Sequence, residues 1–510
     1  MSTAPPPRSL LRELVRAKPV EQSLADTHES GHALRRTLSA LDLTVFGVGV
    51  IIGTGIFVLT GTAAKNTAGP AVALSFAASG VVCALAALCY AEFASTVPVA
   101  GSAYTFAYST IGELPAWIIG WDLVLELTLG AAVVSVGWSG YVQSLMESAG
   151  WTLPYGISGA DDHGWSFNLP AALLVAVLTA IILLGMHLSA EVTRVIVVIK
   201  VISVLIVIVA GLFFIKADNY DPFIPPAQAT ADKSGGESPL IQVLFGYTPT
   251  DFGVMGIFTA AAVVFFAFIG FDIVATTAEE TKNPQRDLPR GILGSLLICT
   301  VLYMAVSIVV TGMQKYTELS SDAPLSDAFK AVDQEAFADI INVGAVAGLT
   351  SVTMIMLLGQ SRVFFAMSRD GLLPRLFSAV HPRFGTPTRA VLLLGLVVAV
   401  LAGLIPLEEL SELVNIGTLF AFIVVSIGVI VLRRTRPDLP RSFRCPWVPV
   451  LPILSVAACL WLMLNLPVQT WWRFLVWLAI GLVVYFIYGR SHSRLHLRGA
   501  SDAPAGTQGP

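Results

Sequence analysis

The chain has 510 residues, of which 55% are hydrophobic and only 13% are charged. Soluble domains carry about 25% charged residues, so this composition excludes a soluble protein that covers a surface of this size with charge. The formal net charge of −4 carries little information, because in a membrane protein the positions of the charges matter more than their sum.

Residues 1–40 are polar and lack both the short apolar run and the small-residue cleavage site of a secretory signal. This stretch is rich in basic side chains, which are Arg8, Arg12, Arg16, Lys18, Arg35 and Arg36. We therefore predict a disordered cytoplasmic tail over residues 1–40 and a second cytoplasmic tail over residues 491–510.

A series of mainly apolar segments follows, each near the length of about 20 residues that a helix needs to cross a bilayer. We number these predicted spans 1 to 12 in chain order: 43–63, 70–95, 115–144, 169–188, 193–216, 252–277, 290–314, 338–366, 388–404, 409–432, 449–466 and 471–489. The alternating segments of a membrane β-barrel do not occur in the sequence. The pattern predicts an all-α integral membrane protein with about twelve transmembrane helices.

The positions of lysine and arginine predict the orientation, because cytoplasmic loops carry an excess of both. With both termini inside, most of the 30 basic residues fall in cytoplasmic segments. Lys200 lies within span 5, and the outer segments keep only Lys65, Lys216, Lys233, Lys315, Lys330 and Arg473. We therefore expect a multi-pass protein of the cell membrane with both termini in the cytoplasm.

Span 1 contains the glycines Gly47, Gly49, Gly53 and Gly55, with Thr54 between the last two. Each glycine weakens a helix by about 1 kcal/mol relative to alanine. For Gly47 and Gly49, close packing of small residues against another helix is an alternative explanation. For the segment from Gly53 to Gly55, near mid-membrane, we predict a local unwinding.

Span 6 has a matching irregularity, because Gly270 lies near mid-membrane and is followed closely by the carboxylate of Asp272. Interrupted helices at corresponding positions of two halves are typical of transporters built as inverted repeats. We therefore predict that spans 1–5 repeat as spans 6–10. Residues 41–435 would form this ten-helix inverted-repeat transport core, and residues 436–490 would add two further transmembrane helices.

An unwound helix exposes main-chain groups of both polarities. Free N–H groups at a helix N-terminus favour an anion, whereas free carbonyl groups favour a cation. An amino acid zwitterion carries both charges close together, so two interrupted helices can bind it through main-chain groups alone. Side chains would then select among substrates.

Charged residues inside a span each cost about 3 kcal/mol on insertion scales, so they usually face a cavity or a partner. The candidates are Asp122 and Glu126 in span 3, Lys200 in span 5 and Asp272 in span 6. Lys200 has three alternative roles: it exchanges a proton during transport, it serves as a fixed counter-ion, or it snorkels to the interface. We interpret Asp122 as a structural ion-pair partner and Asp272 as functional. Glu126 fits either a buried hydrogen-bonded role or a proton or substrate role.

Charged residues at the predicted cytoplasmic ends of spans 2 and 6 can be explained in two ways. They are Glu92 and a charged cluster of Glu279, Glu280, Lys282, Arg286 and Arg290. We interpret both as solvated segments with salt bridges, and a gating network is the alternative.

Three long strings of the sequence are specific enough to indicate a family. They are IIGTGIF at Ile51–Phe57, FFAFIGFD at Phe265–Asp272 followed by ATTAEETKNPQRDLPRGI at Ala275–Ile292, and GQSRVFFAMSRDGLLP at Gly359–Pro374. Over about residues 35–490, the chain resembles the amino acid–polyamine–organocation superfamily, and within it bacterial relatives of the cationic amino acid transporters.

The resemblance implies a LeuT-like fold and a substrate site on the main chain of both interruptions, at Ile51, Ile52, Gly53, Thr54, Gly55, Phe266, Ala267, Phe268, Ile269 and Gly270. The carboxylate would meet N–H groups in span 1, and the ammonium would meet carbonyl groups in both spans. Phe266 corresponds to an aromatic lid and Asp272 to an acidic inner-gate residue. Lys200 corresponds to a lysine that replaces a sodium site in proton-coupled members.

The chain departs from the animal cationic transporters in two ways. Those proteins have more spans than the number predicted here, and they carry glycine where this chain has Ala278. A preference for cationic substrates is therefore not implied, and the bacterial relatives include carriers of alanine and other neutral amino acids.

We predict a secondary active transporter of amino acids, coupled to protons as a symporter, with an exchanger of amino acids and polyamines as the alternative. The expected partners are the amino acid, protons and the lipid bilayer, and a small membrane subunit is left open. The sequence contains no metal-ligand cluster, no GxSxG or P-loop motif and no nucleic-acid patch, so we predict no enzyme activity, cofactor or nucleic-acid partner. A signalling receptor would need longer tails, and a channel would need rings of polar residues.

Overall fold

A computed structural model describes residues 37–96, 103–159, 166–185, 190–229, 236–248, 250–381 and 385–494. Apart from their inner ends, the two predicted tails lie outside these residues, and so does the side chain of Glu279. Regular structure in the described part is almost entirely helical, and its strands are Gln228–Ala229 and Thr250–Asp251, which pair antiparallel. The expected helical architecture is therefore confirmed.

Eight helical stretches of the described chain are long and apolar enough to cross a membrane. They are Gly55–Thr96, Glu113–Ser148, Val192–Phe214, Gly253–Ala275, Pro284–Met313, Glu335–Arg369, Leu407–Thr435 and Val468–His492. Shorter apolar helices lie at predicted spans 1, 4, 9 and 11: Ala40–Ile51, Leu169–Leu183, Thr388–Leu404 and Val450–Leu464. The chain is therefore a multi-pass membrane protein, and we keep the span numbers for the matching segments.

Several of these stretches contain irregular turns, so their bounds differ from those of the α-helices. The α-helices within them include Thr60–Ala63, Val72–Thr96, Ala190–Gly211, Gly253–Val264 and Val468–Val484. Further short α-helices are Ala103–Thr110, Tyr155–Ser158, Leu240–Phe245, Pro324–Lys330 and Arg490–His492. The stretch Gly55–Thr96 joins the second half of span 1 to span 2, and the chain turns between them through Gly69–Ala71.

Span 3 lies inside the bundle and span 12 at its edge. Of the most apolar segment of each span, 89% is buried inside the protein in span 3 and 22% in span 12. Span 3 packs against span 8 through glycines, because Gly130 lies beside the sulfur of Met356 and Gly359 lies beside Leu127. Residues without a side chain allow two helix backbones to approach closely.

A buried ion-pair cluster ties span 2 to the end of span 10 and to the loop that follows. Glu92, which is 1% exposed, accepts hydrogen bonds of 2.9 and 2.7 Å from the Arg433 guanidinium. It also accepts the N–H of Cys445 at 2.7 Å and faces Arg441 at 3.4 Å. We call these residues the Glu92 clasp. The salt bridges expected for Glu92 are present, but the interpretation of its segment as solvated was wrong, because the cationic partners allow the burial of Glu92.

Span 1 is interrupted close to the position that its glycines predict. The first helix, Ala40–Ile51, is capped at its start by Ser39 and ends before Ile52, whose ψ of 96° is extended. Helical winding resumes over Gly55–Leu59 in a wide π-helical turn. The irregular segment is therefore centred on Ile52 and Gly53, slightly before the predicted position.

The first two glycines of span 1 serve helix packing. A Cβ on Gly47 would overlap Ser295 of span 7, and a Cβ on Gly49 would overlap Val197 of span 5. Small residues at these positions let the neighbouring helices approach. The packing explanation therefore applies to this pair.

Span 6 is interrupted at the corresponding place. Its α-helix Gly253–Val264 tightens into a 3-10 turn over Phe265–Phe268, and the chain becomes extended at Ile269. Gly270 follows with a φ of +115°, a conformation that glycine adopts without strain. A second 3-10 segment, Asp272–Glu280, then continues toward the next loop.

The two interruptions touch where Gly55 meets Ala267. A Cβ on Gly55 would overlap the backbone of Ala267. A Cβ on Gly53 would instead lie 3.7 Å from a methyl group of Val352, which is an ordinary contact. Close backbone approach therefore requires glycine at position 55 and not at position 53.

We expect Gly55→Ala to destabilise the protein by about 1–3 kcal/mol, because overpacking forces the two backbones apart. The matched substitution Gly53→Ala should leave stability nearly unchanged. Thermal unfolding of the detergent-purified variants measures the difference, and Gly55→Ala should melt several degrees below the parent protein. Equal melting temperatures for the two variants would contradict the close contact.

Candidate functional site

The two interruptions lie side by side in the buried interior. Every residue predicted to bind substrate through its main chain is buried: Ile51, Ile52, Gly53, Thr54, Gly55, Phe266, Ala267, Phe268, Ile269 and Gly270. Among the described residues, the N–H groups of Gly53, Thr54 and Gly55 have no hydrogen-bond acceptor, as is usual at a helix N-terminus. These free donors, together with the helix dipole, suit an anion.

The Thr54 side chain adds a hydroxyl beside these donors. Its Oγ1 atom is buried and has no hydrogen-bond partner among the described residues. The side chain lies against Gly137 of span 3, where a Cβ would come within 2.7 Å of the Thr54 methyl group. A buried hydroxyl without a partner costs free energy, so this site favours a ligand that supplies the missing hydrogen bond.

A tyrosine of span 7 joins the two interruptions. The fully buried Tyr303 hydroxyl lies 2.7 Å from the carbonyl oxygen of Ile51 and 2.8 Å from that of Ala267. Its ring packs on Phe76 and Phe268 at centroid distances of 5.5 and 5.3 Å. Tyr303 was not predicted from the sequence, although its hydroxyl within the apolar run of span 7 was an available signal.

Lys200 reaches the same interruption from span 5. Its Nζ atom donates hydrogen bonds to the carbonyl oxygen of Gly49 and, at 3.2 Å, to that of Ile52. The side chain is completely buried and lies against Gly348 of span 8. Lys200 therefore does not snorkel to the interface, and its amino group is hydrogen-bonded to carbonyl groups of span 1.

An asparagine of span 10 supports the end of the first helix of span 6. The Asn415 amide donates hydrogen bonds to the carbonyl oxygens of Ala262 and Val263 at 2.8 and 2.9 Å. The Asn415 amide therefore adds hydrogen bonds to two carbonyl groups at the point where the α-helix of span 6 ends. Asn415 was not predicted from the sequence either, although an amide side chain in an apolar run is unusual.

Phe266 differs from its aromatic neighbours in span 6. Phe265 packs on Phe422, and Phe268 packs on Tyr303. Within the described part of the chain, the Phe266 ring makes no such contact. This buried side chain therefore has no aromatic partner that fixes its position, unlike the two rings beside it.

The carboxylates predicted inside the spans, Asp122, Glu126 and Asp272, are 0%, 3% and 6% exposed. Neither oxygen of Asp122 has a hydrogen-bond partner among the described residues, and one oxygen lies against Gly417 of span 10. The expected ion pair of Asp122 is therefore absent there, because span 10 presents a glycine and no cation to it. One oxygen of Asp272 also lacks a hydrogen-bond partner in the described chain.

The sequence of this chain is similar to those of known transporters. A sequence model of the amino acid permease family matches residues 38–486. The methylthioribose transporter of Bacillus subtilis is 47% identical over 488 residues, which cover 95% of this chain and 100% of that protein. The branched-chain amino acid permease BcaP of Bacillus subtilis is 48% identical over 487 residues, which cover 94% of this chain and 98% of that protein.

The similarity extends to eukaryotic proteins. The cationic amino acid transporter 4 of Homo sapiens is 30% identical over 615 aligned residues, with 96% of this chain and 92% of that protein covered. The resemblance found in the sequence strings is therefore confirmed. The chain belongs to the amino acid permease family, and it is a transporter of amino acids or related solutes and not an enzyme.

Proposed function

We propose that the protein carries an amino acid across the cell membrane together with protons, by alternating access. The observation that carries this proposal is the buried meeting point of two interrupted helices, with free N–H donors in span 1 and carbonyl groups in both spans. Such a site complements both charges of a zwitterion. Because its residues are buried, substrate would enter only when the bundle opens to one face.

The proposal includes a LeuT-like architecture with twelve transmembrane helices. Spans 1–5 would repeat as spans 6–10 within residues 41–435, and residues 436–490 would contribute spans 11 and 12. In support, the interrupted helices are the first members of the two proposed repeats, which is where inverted-repeat transporters place their substrate site.

Both ends of the described chain would lie at the cytoplasmic face. Thr37 donates its N–H to the carbonyl oxygen of Glu280 after span 6, and Arg494 donates its N–H to that of Asp370 after span 8. Segments after even-numbered spans share a face with the termini, so these contacts support an even number of crossings. The basic loop after span 10 would share this face, as the excess of arginine in cytoplasmic loops requires.

The substrate carboxylate would bind the N–H groups from Gly53 to Gly55 and the Thr54 hydroxyl. Its ammonium would bind carbonyl oxygens of Ile51 and Ile52 and of the segment Phe266–Gly270. Phe266 would close over the bound substrate, and its lack of aromatic partners supports such a movement. The remaining side chain of the substrate would then decide which amino acids are carried.

We propose a neutral aliphatic amino acid as the substrate. The atoms nearest to a Cβ on Gly53 would be the two methyl groups of Val352, which suit an apolar side chain. The 48% identity to a branched-chain amino acid permease supports the same substrate class. The 47% identity to a methylthioribose transporter favours a second candidate, a neutral thioether sugar.

A thermal-shift screen of the detergent-purified protein separates these substrates, since a ligand at about 100 times its Kd stabilises the native state by about 2.7 kcal/mol. Valine and isoleucine should raise the melting temperature. Isobutylamine lacks the carboxylate of valine and isovalerate lacks its ammonium, so neither compound should raise the melting temperature. A shift with methylthioribose, lysine or putrescine and none with neutral amino acids would overturn the proposed substrate.

Lys200, Glu126 and Asp272 would carry the proton coupling. The Lys200 amino group contacts the carbonyl groups of the span 1 interruption directly, so a change in its protonation would change the charge beside the substrate. Glu126 and the partly unpartnered Asp272 would bind protons or control opening at the inner face. These roles rest on the burial of all three groups near the interrupted helices.

In proteoliposomes, Lys200→Ala should abolish substrate accumulation driven by a pH gradient, while counterflow of substrate persists. The exposed Lys315 provides the control, and Lys315→Ala should accumulate substrate like the parent protein. Unchanged accumulation by Lys200→Ala would refute the coupling role. If the parent accumulates substrate only in exchange for an internal amine, exchange replaces symport.

Tyr303→Phe should destabilise the protein by about 1–2 kcal/mol, because it removes the hydroxyl that links the two interruptions. Tyr90→Phe is the matched control, since the Tyr90 hydroxyl is also buried but makes no hydrogen bond to either interruption among the described residues. Thermal unfolding should show a lower melting temperature for Tyr303→Phe alone, and counterflow should slow in that variant. Similar melting temperatures would show that the Tyr303 hydroxyl contributes nothing to the link.

A further inference from the structure

A pocket of about 410 Å³ opens beside the first turns of span 7, away from the interruptions. One wall is the start of the helix Pro284–Met313, and the other is the loop after span 10. The residues that matter for its chemistry are Gln285, Arg286, Arg290, Leu293, Ser442 and Phe443. The Ser442 hydroxyl donates a 2.8 Å hydrogen bond to the Gln285 side chain and thereby joins the two walls.

The lining of this pocket is positively charged. Arg286 and Arg290 lie one turn apart on the same helix face, and no acidic residue lines the pocket. Within the described chain, neither guanidinium has a carboxylate at ion-pair distance. Among the described residues, these two arginines therefore form none of the salt bridges expected for this cluster, and their charges are available to an anion.

The loop wall of the pocket is held in place by other parts of the fold. The Phe443 carbonyl oxygen accepts a 3.4 Å hydrogen bond from Ser95, and the nearby Cys445 N–H donates to Glu92. The Glu92 clasp thus anchors the loop to span 2. A wall ordered before binding lowers the entropy cost of holding a ligand.

An apolar stripe leads from the two arginines toward the middle of span 7. Leu293, Leu297 and Val301 continue the same helix face, and the last two are 67% and 59% exposed. Exposed apolar side chains within a span face lipid acyl chains. A pair of guanidinium groups next to such a stripe complements a phospholipid, which has an anionic phosphate next to apolar acyl chains. Guanidinium groups bind phosphate in a bidentate manner.

We propose that this pocket binds the phosphate group of an anionic phospholipid from the cytoplasmic leaflet, with its acyl chains along the apolar stripe. Basic pockets between transmembrane helices on the cytoplasmic side commonly bind anionic headgroups. The bound lipid would bridge the span 7 helix, which carries Tyr303, and the loop held by the Glu92 clasp. It would therefore stabilise the fold independently of the transported substrate.

Titration of delipidated, detergent-purified protein with phosphatidylglycerol, followed by melting temperature, tests the proposal. The variant Arg286→Gln/Arg290→Gln is compared with Arg375→Gln/Arg434→Gln, which removes two exposed arginines outside the pocket. The pocket variant should need about thirtyfold more phosphatidylglycerol for the same shift, from the usual contribution of a basic residue near anionic lipid. The control should respond like the parent, and Arg286→Lys/Arg290→Lys should fall between the two.

Parallel titrations with phosphatidylcholine and with inorganic phosphate identify the source of the anion. Either compound should shift the melting temperature only slightly. An equal shift with inorganic phosphate would assign the pocket to a soluble anion, and an equal shift with phosphatidylcholine would remove the role of lipid charge. An unchanged response of the pocket variant, or an equal loss in the control variant, would also overturn the proposal.

Discussion

Main-chain polar groups that leave a helix inside a membrane must find partners within the protein, and this constraint organises the whole interior. The interruptions of spans 1 and 6 release such groups in the buried core. Tyr303, Lys200 and Asn415 each donate a hydrogen bond to carbonyl groups at or next to these interruptions. The donors from Gly53 to Gly55 are the complementary groups that a transported zwitterion would use.

The three supporting side chains come from spans 7, 5 and 10, so the interruptions connect helices that are distant in the sequence. Movement of span 1 or span 6 must break or exchange at least one of these hydrogen bonds. The contact of Gly55 with Ala267 adds a steric limit, because the two backbones already touch. Opening of the site would therefore require coordinated movement of several helices, as alternating access demands.

Much of the fold was predictable, whereas the partners of the interruptions were not. The close glycines Gly53 and Gly55 indicated the break in span 1, and Gly270 with the nearby Asp272 indicated the break in span 6. Tyr303 and Asn415 are single polar residues in apolar runs, and no local pattern shows which backbone they face. Glu92 was misinterpreted for the same reason, since its partner Arg433 follows 341 residues later.

The Tyr303 hydroxyl carries a single hydrogen, yet it lies within 2.8 Å of two carbonyl oxygens from different spans. The two oxygens must share that hydrogen, so neither carbonyl group receives a full hydrogen bond from the phenol. The two spans therefore compete for one proton. An ammonium group beside them would supply further hydrogens, so that both carbonyl oxygens could accept a full hydrogen bond. Binding of a cation would therefore hold the two spans together.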